Sequence, residues 1–265
     1  MRRRTRPLSF ADILTNIRKE TMGTAAVDTF DVAGKTTIRS ADGAFFHLAA
    51  PAEAGAPLAA RLSQELLQRR QSAVRPRAGR ERIDIKASAA EAAGLLCFLA
   101  DSGVAATMVK DDAGHAPGGL LLHVAGSPAG RSVYDELPGK GTAVLRCYRE
   151  GELVFIDPLA VSAEDPTGSQ VLRRRLAASP AAAELKAWLD TPAASTDLDL
   201  QDTALGLVKA RLLMSIAAWQ QDSPALLGLR RTLWRLDTAT MVATEHPVLP
   251  FPEPATLDEN RQGTR

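Results

Sequence analysis

The chain has 265 residues, of which 45% are hydrophobic and 24% charged, and its net charge is +1. This length and mix suit one large or two small globular domains, and the near-zero charge gives no global field that favours nucleic acid or an anionic membrane. Aromatic residues make up only 5%, which argues against a base-stacking surface.

The two cysteines, Cys97 and Cys147, lie far apart in apolar runs. Two cysteines alone build neither a zinc site nor a disulfide framework, so we predict buried free thiols in a reducing compartment. The basic start Met1–Arg4 is not followed by an apolar segment, because Asp12 and Arg18 interrupt it. No apolar run reaches the length of a membrane span, which predicts a cytoplasmic protein without a membrane partner.

The first elements in chain order are a short amphipathic helix, three strands and a second helix. We predict them at Ser9–Gly23, Val27–Val32, Thr36–Arg39, Ala44–Ala49 and Pro57–Arg70. The first helix is either an amphipathic helix packed on the domain or a basic helix that binds a membrane or a partner.

A basic loop follows at residues 75–82 with four arginines. Such a run is either a solvated, mobile linker or a binder of RNA or acidic peptide.

The run Ser88-Ala-Ala-Glu91 is a capping box, in which the serine hydroxyl and the glutamate carboxylate each accept a backbone amide at a helix start. The predicted helix ends at Gly103, which can adopt the left-handed conformation, and Val104–Val109 reads as a strand. The acidic, then glycine-rich segment Asp111–Gly119 predicts a boundary. Residues 1–112 are therefore predicted to form a small winged-helix-like α+β unit.

The second part begins with an apolar strand, a turn and a hairpin. These are predicted at Leu120–Val124, Gly126–Gly130, and Ala143–Tyr148 with Glu152–Ile156. The stretch Val161–Gly168 is predicted to be a loop.

The remaining elements are two helices, a hairpin and a disordered tail. Ser179-Pro180 predicts a helix start before the stripe Leu185, Trp188 and Leu189. The strongest helix is expected over Thr203–Trp219, where Leu205, Val208, Leu212, Ile216 and Trp219 form one stripe and the apolar other positions predict burial on nearly all sides. The hairpin is predicted at Thr232–Leu236 with Thr240–Thr244, and the tail at residues 255–265.

No pattern of catalytic, metal-ligating or cofactor-binding residues appears. The glycines match neither of the nucleotide-binding motifs G-x-G-x-x-G and G-x-x-x-x-G-K-[ST]. The motif G-x-S-x-G of serine nucleophiles is also absent. His47, His115, His123 and His246 are scattered, with no partner three or four residues away. We therefore predict no catalytic residue, no metal site and no cofactor.

Two runs carry a resemblance to a known family: Gly119–Ser127 and Val144–Leu159. They resemble the second half of the ubiquitin-activating-like partner proteins, of the cyclodehydratase C/F type, in thiazole/oxazole peptide maturation. In that family a hairpin ends in Gly-Pro-Leu, where this chain has Asp157-Pro-Leu159. The likeness spans roughly residues 119–254 and implies a reduced activating-enzyme-like α/β domain at residues 118–254.

The resemblance also implies a function for residues 1–112. Family members bind the leader of a precursor peptide as an added strand on an N-terminal winged-helix module, a mode that physics favours because main-chain hydrogen bonds provide affinity. By that likeness, the peptide-binding residues are Phe45, Phe46, His47 and Leu48 on the receiving strand, and Leu95 and Leu99 on the flanking helix. Alternatively, these side chains are simply core residues.

Departures from the family shape the expected activity. The glycine-rich nucleotide fold before Leu120 and the zinc cysteines around residues 161–169 are missing. We therefore expect a non-catalytic recognition or scaffold subunit for bacteriocin-type peptide maturation, with a precursor peptide and a partner enzyme as partners and no nucleic acid. Homodimerisation stays open. The alternatives are a small flavin-dependent dehydrogenase of peptide maturation and a generic secretion or phage interaction protein.

Overall fold

The computed structural model describes residues 27–33, 35–40, 43, 45–47, 75–109 and 117–251. The predicted helices at residues 9–23 and 57–70, and the predicted tail, lie outside these residues. The chain divides into two compact units, Met1–Arg75 and Pro76–Arg265. None of the helices in the described residues is long and apolar enough to cross a membrane.

The first unit contains an antiparallel three-stranded sheet. Its strands, in spatial order, are β1 at Val27–Val32, β2 at Lys35–Ser40 and β3 at Phe45–His47. Positive φ values of 51° at Ala33 and 86° at Gly43 allow the tight turns between them. The three strands predicted from alternation are confirmed.

The second unit is built on a seven-stranded mixed sheet with the order β10-β9-β8-β7-β6-β4-β5. Its strands are β4 at Ile83–Lys86, β5 at Ala106–Met108, β6 at Leu120–Val124, β7 at Ala143–Glu150, β8 at Leu153–Ile156, β9 at Thr232–Asp237 and β10 at Val242–Pro247. The four strands β5, β4, β6 and β7 are parallel, and the others extend the sheet antiparallel. The predicted mixture of helices and strands is confirmed.

The expected domain boundary falls inside this sheet. Strand β4 pairs with β5 on one side and with β6 on the other. The predicted split between residues 1–112 and 118–254 therefore separates two strands that share one sheet, whereas the compact units divide at residue 75.

Five α-helices lie in the described residues. They are α1 at Ala89–Asp101, α2 at Gly168–Ala178, α3 at Ala182–Leu189, α4 at Asp202–Gln221 and α5 at Ala225–Leu229. Helix α1 begins with the predicted capping box and is followed by Gly103 at φ 77°.

Helix α2 was not predicted. Thr167 caps its first turn by accepting from Gln170 N. Ser179 ends α2 instead of starting the next helix, and α3 begins at Ala182. The serine–proline pair is thus a connection between two helices.

Strand alternation separates two cores on opposite faces of the sheet. The larger core joins Leu145 and Cys147 with α1 and α4, and the smaller one joins Tyr148 with Val171 of α2. The predicted α4 stripe packs in the larger core. The expectation that α4 is nearly surrounded is wrong, because Leu207 is 41% and Met214 60% exposed.

Part of the basic loop is fixed to α4. Arg77 N donates to Gln220 O at 2.8 Å, and the guanidinium groups of Arg77 and Arg80 bind the Asp222 carboxylate at 2.7 and 3.1 Å. Arg80 also donates to Trp219 O. These arginines are therefore ion-paired at the end of α4, whose backbone and carboxylate acceptors are completed by cations, while the Arg77 side chain stays 61% exposed, as expected for a solvated loop.

Gly168 allows a close backbone approach in the second unit. A Cβ at this position would lie 2.6 Å from Arg131 O and 3.2 Å from Arg146 Cζ. We expect Gly168→Ala to reduce the free energy of unfolding by about 1–3 kcal/mol, because the main chain must move. Urea denaturation measures this change.

Gly206→Ala is the matched control. Gly206 lies within α4, and a Cβ there meets nothing within 4 Å. This variant should gain about 0.5–1 kcal/mol from helix propensity. Equal effects at both sites would contradict the close approach at Gly168.

Candidate functional site

The carboxyl ends of β4 and β6 form the topological switch point of the parallel strands. Helix α1 follows β4 and packs on the larger core, whereas the segment after β6 contributes Ala125 to the smaller core on the other face. In open α/β sheets, ligands bind in the crevice that opens where connections leave to opposite faces. The switch point is therefore a candidate ligand-binding site.

The amino terminus of α1 at this crevice is occupied by the carboxylate of Glu91. Its Oε2 accepts from Ser88 N at 3.0 Å and from Ser88 Oγ at 2.7 Å, and its Oε1 accepts from Leu198 N at 2.6 Å. Residues 86–90 contain no glycine. Phosphate-binding helices present free amides from a glycine-rich turn, whereas here a carboxylate of the chain takes that place.

The segment 194–199 lies across the crevice. Ala194 is fully buried and Leu198 is 6% exposed in the larger core. A Cβ built on Gly126 would lie 3.7 Å from Asp197 Oδ1, and the Arg149 guanidinium donates to the carbonyl of Asp199. The chain itself thus fills much of the switch point.

A cavity of about 370 Å³ remains between α1, this segment and α4. Three carboxylates line it, from Glu91, Asp197 and Asp199, together with the amine of Lys209. The excess of negative charge disfavours a phosphate group at this place.

Glu91 should contribute measurably to stability, because its carboxylate accepts hydrogen bonds from two backbone amides and one hydroxyl. We expect Glu91→Ala to lower the free energy of unfolding by about 1–2 kcal/mol. Glu91→Gln retains one acceptor oxygen and should lose less. The comparison is made by urea denaturation, and an unchanged Glu91→Ala midpoint would contradict the assigned role.

A second cluster, of buried charges, lies on the opposite face of the sheet. Arg146 is fully buried and its Nη2 donates to Asp135 Oδ1 at 2.5 Å. The Asp135 carboxylate also accepts from the amides of Gly168 and Ser169 at 2.8 and 3.0 Å. The carboxylate lies at the start of α2, where the helix dipole favours negative charge.

Glu150 is the second anion of this cluster. It accepts from Arg131 and makes a two-pronged ion pair with Arg175 at 2.9 and 2.5 Å. Burial opposes ionisation of Glu150, but the hydrogen bonds and charges of the two arginines outweigh it and lower its pKa. The same guanidinium groups lie over aromatic rings, Arg131 over Tyr148 at 4.0 Å and Arg175 over Phe155 at 4.1 Å.

Two buried titratable groups border this cluster with opposite pKa shifts. Burial raises the pKa of Asp157 to about 6, although Arg146 and a hydrogen bond from Tyr148 favour its charged form. Burial, with the charges of Arg146 and Lys86, lowers the pKa of His123 to about 4. Both groups are therefore enclosed, which favours a structural role over proton transfer with a substrate.

The raised pKa of Asp157 predicts a specific pH dependence of the free energy of unfolding. Its folded pKa, about 6, lies above its ordinary value of 3.8, so between these values the folded state binds more protons and loses stability as pH rises. We expect Asp157→Asn to be more stable than the wild type by up to about 3 kcal/mol above pH 7, and equal to it below pH 4.

Urea denaturation from pH 4 to pH 8 checks this prediction. His123 acts in the opposite direction, since its lowered pKa costs stability as pH falls, but it contributes equally to both proteins. A difference between them that does not depend on pH would contradict the assignment.

The cysteines differ in exposure. Cys147 is buried and burial raises the pKa of its thiol, as predicted for a buried residue. The prediction is wrong for Cys97, which is exposed. The described residues contain no group of three or more His, Cys, Asp or Glu side chains placed to hold a metal ion.

The loop at residues 161–169, where the resemblance implies zinc cysteines, is held by a carboxylate. Asp165 accepts from the amides of Val161 and Ser162 at 2.8 and 2.9 Å and pairs with Arg230 and Arg231. Burial opposes its ionisation, but these donors lower the pKa of Asp165. The residues present do not fit a zinc site, since the loop has no cysteine and its carboxylate is already engaged.

The predicted peptide-binding residues fall in different units. Phe45 and Phe46 of β3 are 59% and 51% exposed, and His47 is exposed. Leu95 and Leu99 of α1 are 3% and 1% exposed in the core of the second unit. These two leucines therefore have a packing role, and Leu48 lies outside the described residues.

Strand β3 is the last strand in the order of its sheet. Within the residues that the structure describes, no strand pairs with its outer edge. The Phe45 ring makes an edge contact with Phe30 at 6.3 Å and lies beneath Arg39 at 6.0 Å. An edge strand with exposed aromatic side chains is a surface on which an extended peptide can pair.

Comparisons with known proteins give structural but no sequence-level relatives. No family model matches the chain, and no curated protein matches it. A heterocyclase in complex with substrate and cofactor superposes with a TM-score of 0.58 at 12% identity, over 85% of this chain and 38% of that one. The heterocyclase TruD gives 0.54 at 11% identity, over 86% and 41%.

A third structure matches over nearly its whole length. A chain of the E. coli microcin synthetase McbBCD complex with pro-MccB17 bound gives a TM-score of 0.52 at 12% identity, over 86% of this chain and 96% of that one. The expected cyclodehydratase-like fold is thus confirmed. The winged-helix leader-binding unit stays a prediction.

Proposed function

We propose that this chain is a non-catalytic recognition and scaffold subunit in the maturation of thiazole/oxazole-type peptides. The observation that carries the proposal is the fold shared with a chain of a microcin synthetase complex that has its precursor bound, over 96% of that chain. The likeness to two heterocyclases adds support, although this chain spans only about two-fifths of their length.

In this proposal, the precursor leader pairs with the outer edge of β3. Two observations support this site: β3 ends the order of its sheet in the described residues, and Phe45 and Phe46 are more than half exposed. Successive side chains of a strand point to opposite faces, so the two phenylalanines offer one apolar contact on each face. Main-chain hydrogen bonds supply affinity, and the two rings supply selectivity.

The second unit serves as the scaffold in the same proposal. The switch point holds carboxylates and a segment of the chain itself, which does not suit the binding of a nucleotide phosphate. We therefore assign ATP-dependent cyclisation to a separate partner enzyme and give this chain the presentation of the substrate.

The first test is fluorescence-polarisation binding to the leader of the precursor encoded beside this gene. We expect binding tighter than tens of micromolar, and a loss of about tenfold or more for Phe45→Ser and Phe46→Ser, because each removes an apolar contact. Both side chains are exposed, so the variants should unfold at nearly the wild-type urea concentration.

Leu227→Ser is the control, since Leu227 is a 72% exposed apolar residue of the second unit. It should bind the leader like the wild type. No binding at tens of micromolar, or equal loss in the control, would remove the proposal. Yellow colour from flavin that copurifies would favour the alternative of a peptide-maturation dehydrogenase.

A further inference from the structure

A groove of about 510 Å³ lies on the second unit between α2 and the antiparallel end of the sheet. Its floor is apolar and comes from both β8 and β9, with Leu153, Phe155 and Leu233 joined by Val248. The volume is within the ordinary range of ligand pockets. The groove lies far along the sheet from the carboxyl ends of β4 and β6, because three strands separate β4 from β9 in the sheet order.

The walls of the groove carry three arginines and one histidine. Arg174 and Arg175 of α2 line one side, and Arg235 of β9 with His246 of β10 lines the other. Glu150 also lines the groove, but Arg131 and Arg175 already bind its oxygens. The charges of Arg174 and Arg235 are therefore not balanced by the carboxylate of the groove.

Arg235 makes no ion pair with a carboxylate of the described residues. Its Nε is buried and has no hydrogen-bond partner in the described part of the chain. Asp237 feels the charge of Arg235, but its carboxylate accepts from the turn amides of Ala239 and Thr240 at 3.0 Å each. The Arg235 Nε is enclosed by the protein itself, so a ligand would meet the partly exposed remainder of that side chain, whose charge reaches the groove.

We propose that this groove binds an extended acidic segment of a partner polypeptide. An apolar side chain of the segment packs against Leu153, the partly exposed residue of the floor, while its carboxylates face Arg174 and Arg235. The charge of the walls selects an acidic partner, and arginine recognises carboxylates through paired donors. The inference goes beyond the proposed function, because it concerns the second unit and does not require a leader at β3.

The floor favours a polypeptide over a nucleic acid. Nucleic-acid surfaces present many cations along a backbone track, with aromatic rings free for stacking. In this groove, the Phe155 face is already covered by Arg175 at 4.1 Å, and the remaining floor is aliphatic. Acidic residues alternating with leucine match both the walls and the floor.

The test uses a fluorescein-labelled hexapeptide of alternating glutamate and leucine with the full chain, measured by fluorescence anisotropy. Peptides with serine or lysine in place of glutamate are the comparisons. We expect saturable binding of the glutamate peptide only, weakened by rising salt. Arg235→Gln should weaken it about tenfold, and Arg174→Gln, at an exposed position where Gln retains part of the contact with the Phe251 ring, provides a second variant.

Arg173→Gln is the matched control, since Arg173 is a neighbouring exposed arginine of α2 that does not line the groove. It should bind the glutamate peptide like the wild type. Equal affinity for the serine or lysine peptide, no saturable binding, or no effect of either groove variant overturns the proposal. Self-association in sedimentation that Arg174→Gln abolishes would also overturn it, by showing a second copy in the groove.

Discussion

The hydrogen bond from Leu198 N to Glu91 Oε1 joins two parts of the second unit that are 107 residues apart in sequence. The same carboxylate caps α1, so one side chain both starts the helix and anchors the segment that covers the carboxyl ends of the strands. Cavity shape and charge at the switch point depend on this contact. The segment that this contact anchors narrows the switch point to a cavity of about 370 Å³.

The opposite face of the sheet is stabilised in another way. A cluster of charged side chains is enclosed where α2 packs on the sheet: Arg131, Asp135, Arg146, Glu150 and Arg175. Burying these charges costs desolvation free energy. The ion pairs offset much of that cost, so their net contribution to stability is small. Their geometry is nevertheless specific, because Gly168 must lack a side chain for α2 to approach Arg131 and Arg146. The cluster thus fixes how α2 sits on the sheet, and α2 in turn supplies one wall of the groove at the antiparallel end of the sheet.

Local signals predicted most strands and the start of α1, because a capping box and a two-residue alternation act within a few residues of sequence. Helix α2 was missed, since three consecutive arginines at 173–175 obscure its short apolar stripe. The buried charges were missed for a related reason: Arg146 and Glu150 alternate with Leu145 and Cys147, a pattern typical of a strand with one solvated face. Only the chain's tertiary packing covers that face.

One exposed position has a practical consequence. Cys97 lies about 200° around α1 from Leu95, because each helical residue turns by about 100°, and its thiol faces solvent whereas Cys147 is enclosed. A maleimide dye should therefore attach to the natural chain at one defined point on the outer surface of α1. Energy transfer from that dye to a labelled peptide would then locate a bound ligand on the molecule without any engineered cysteine.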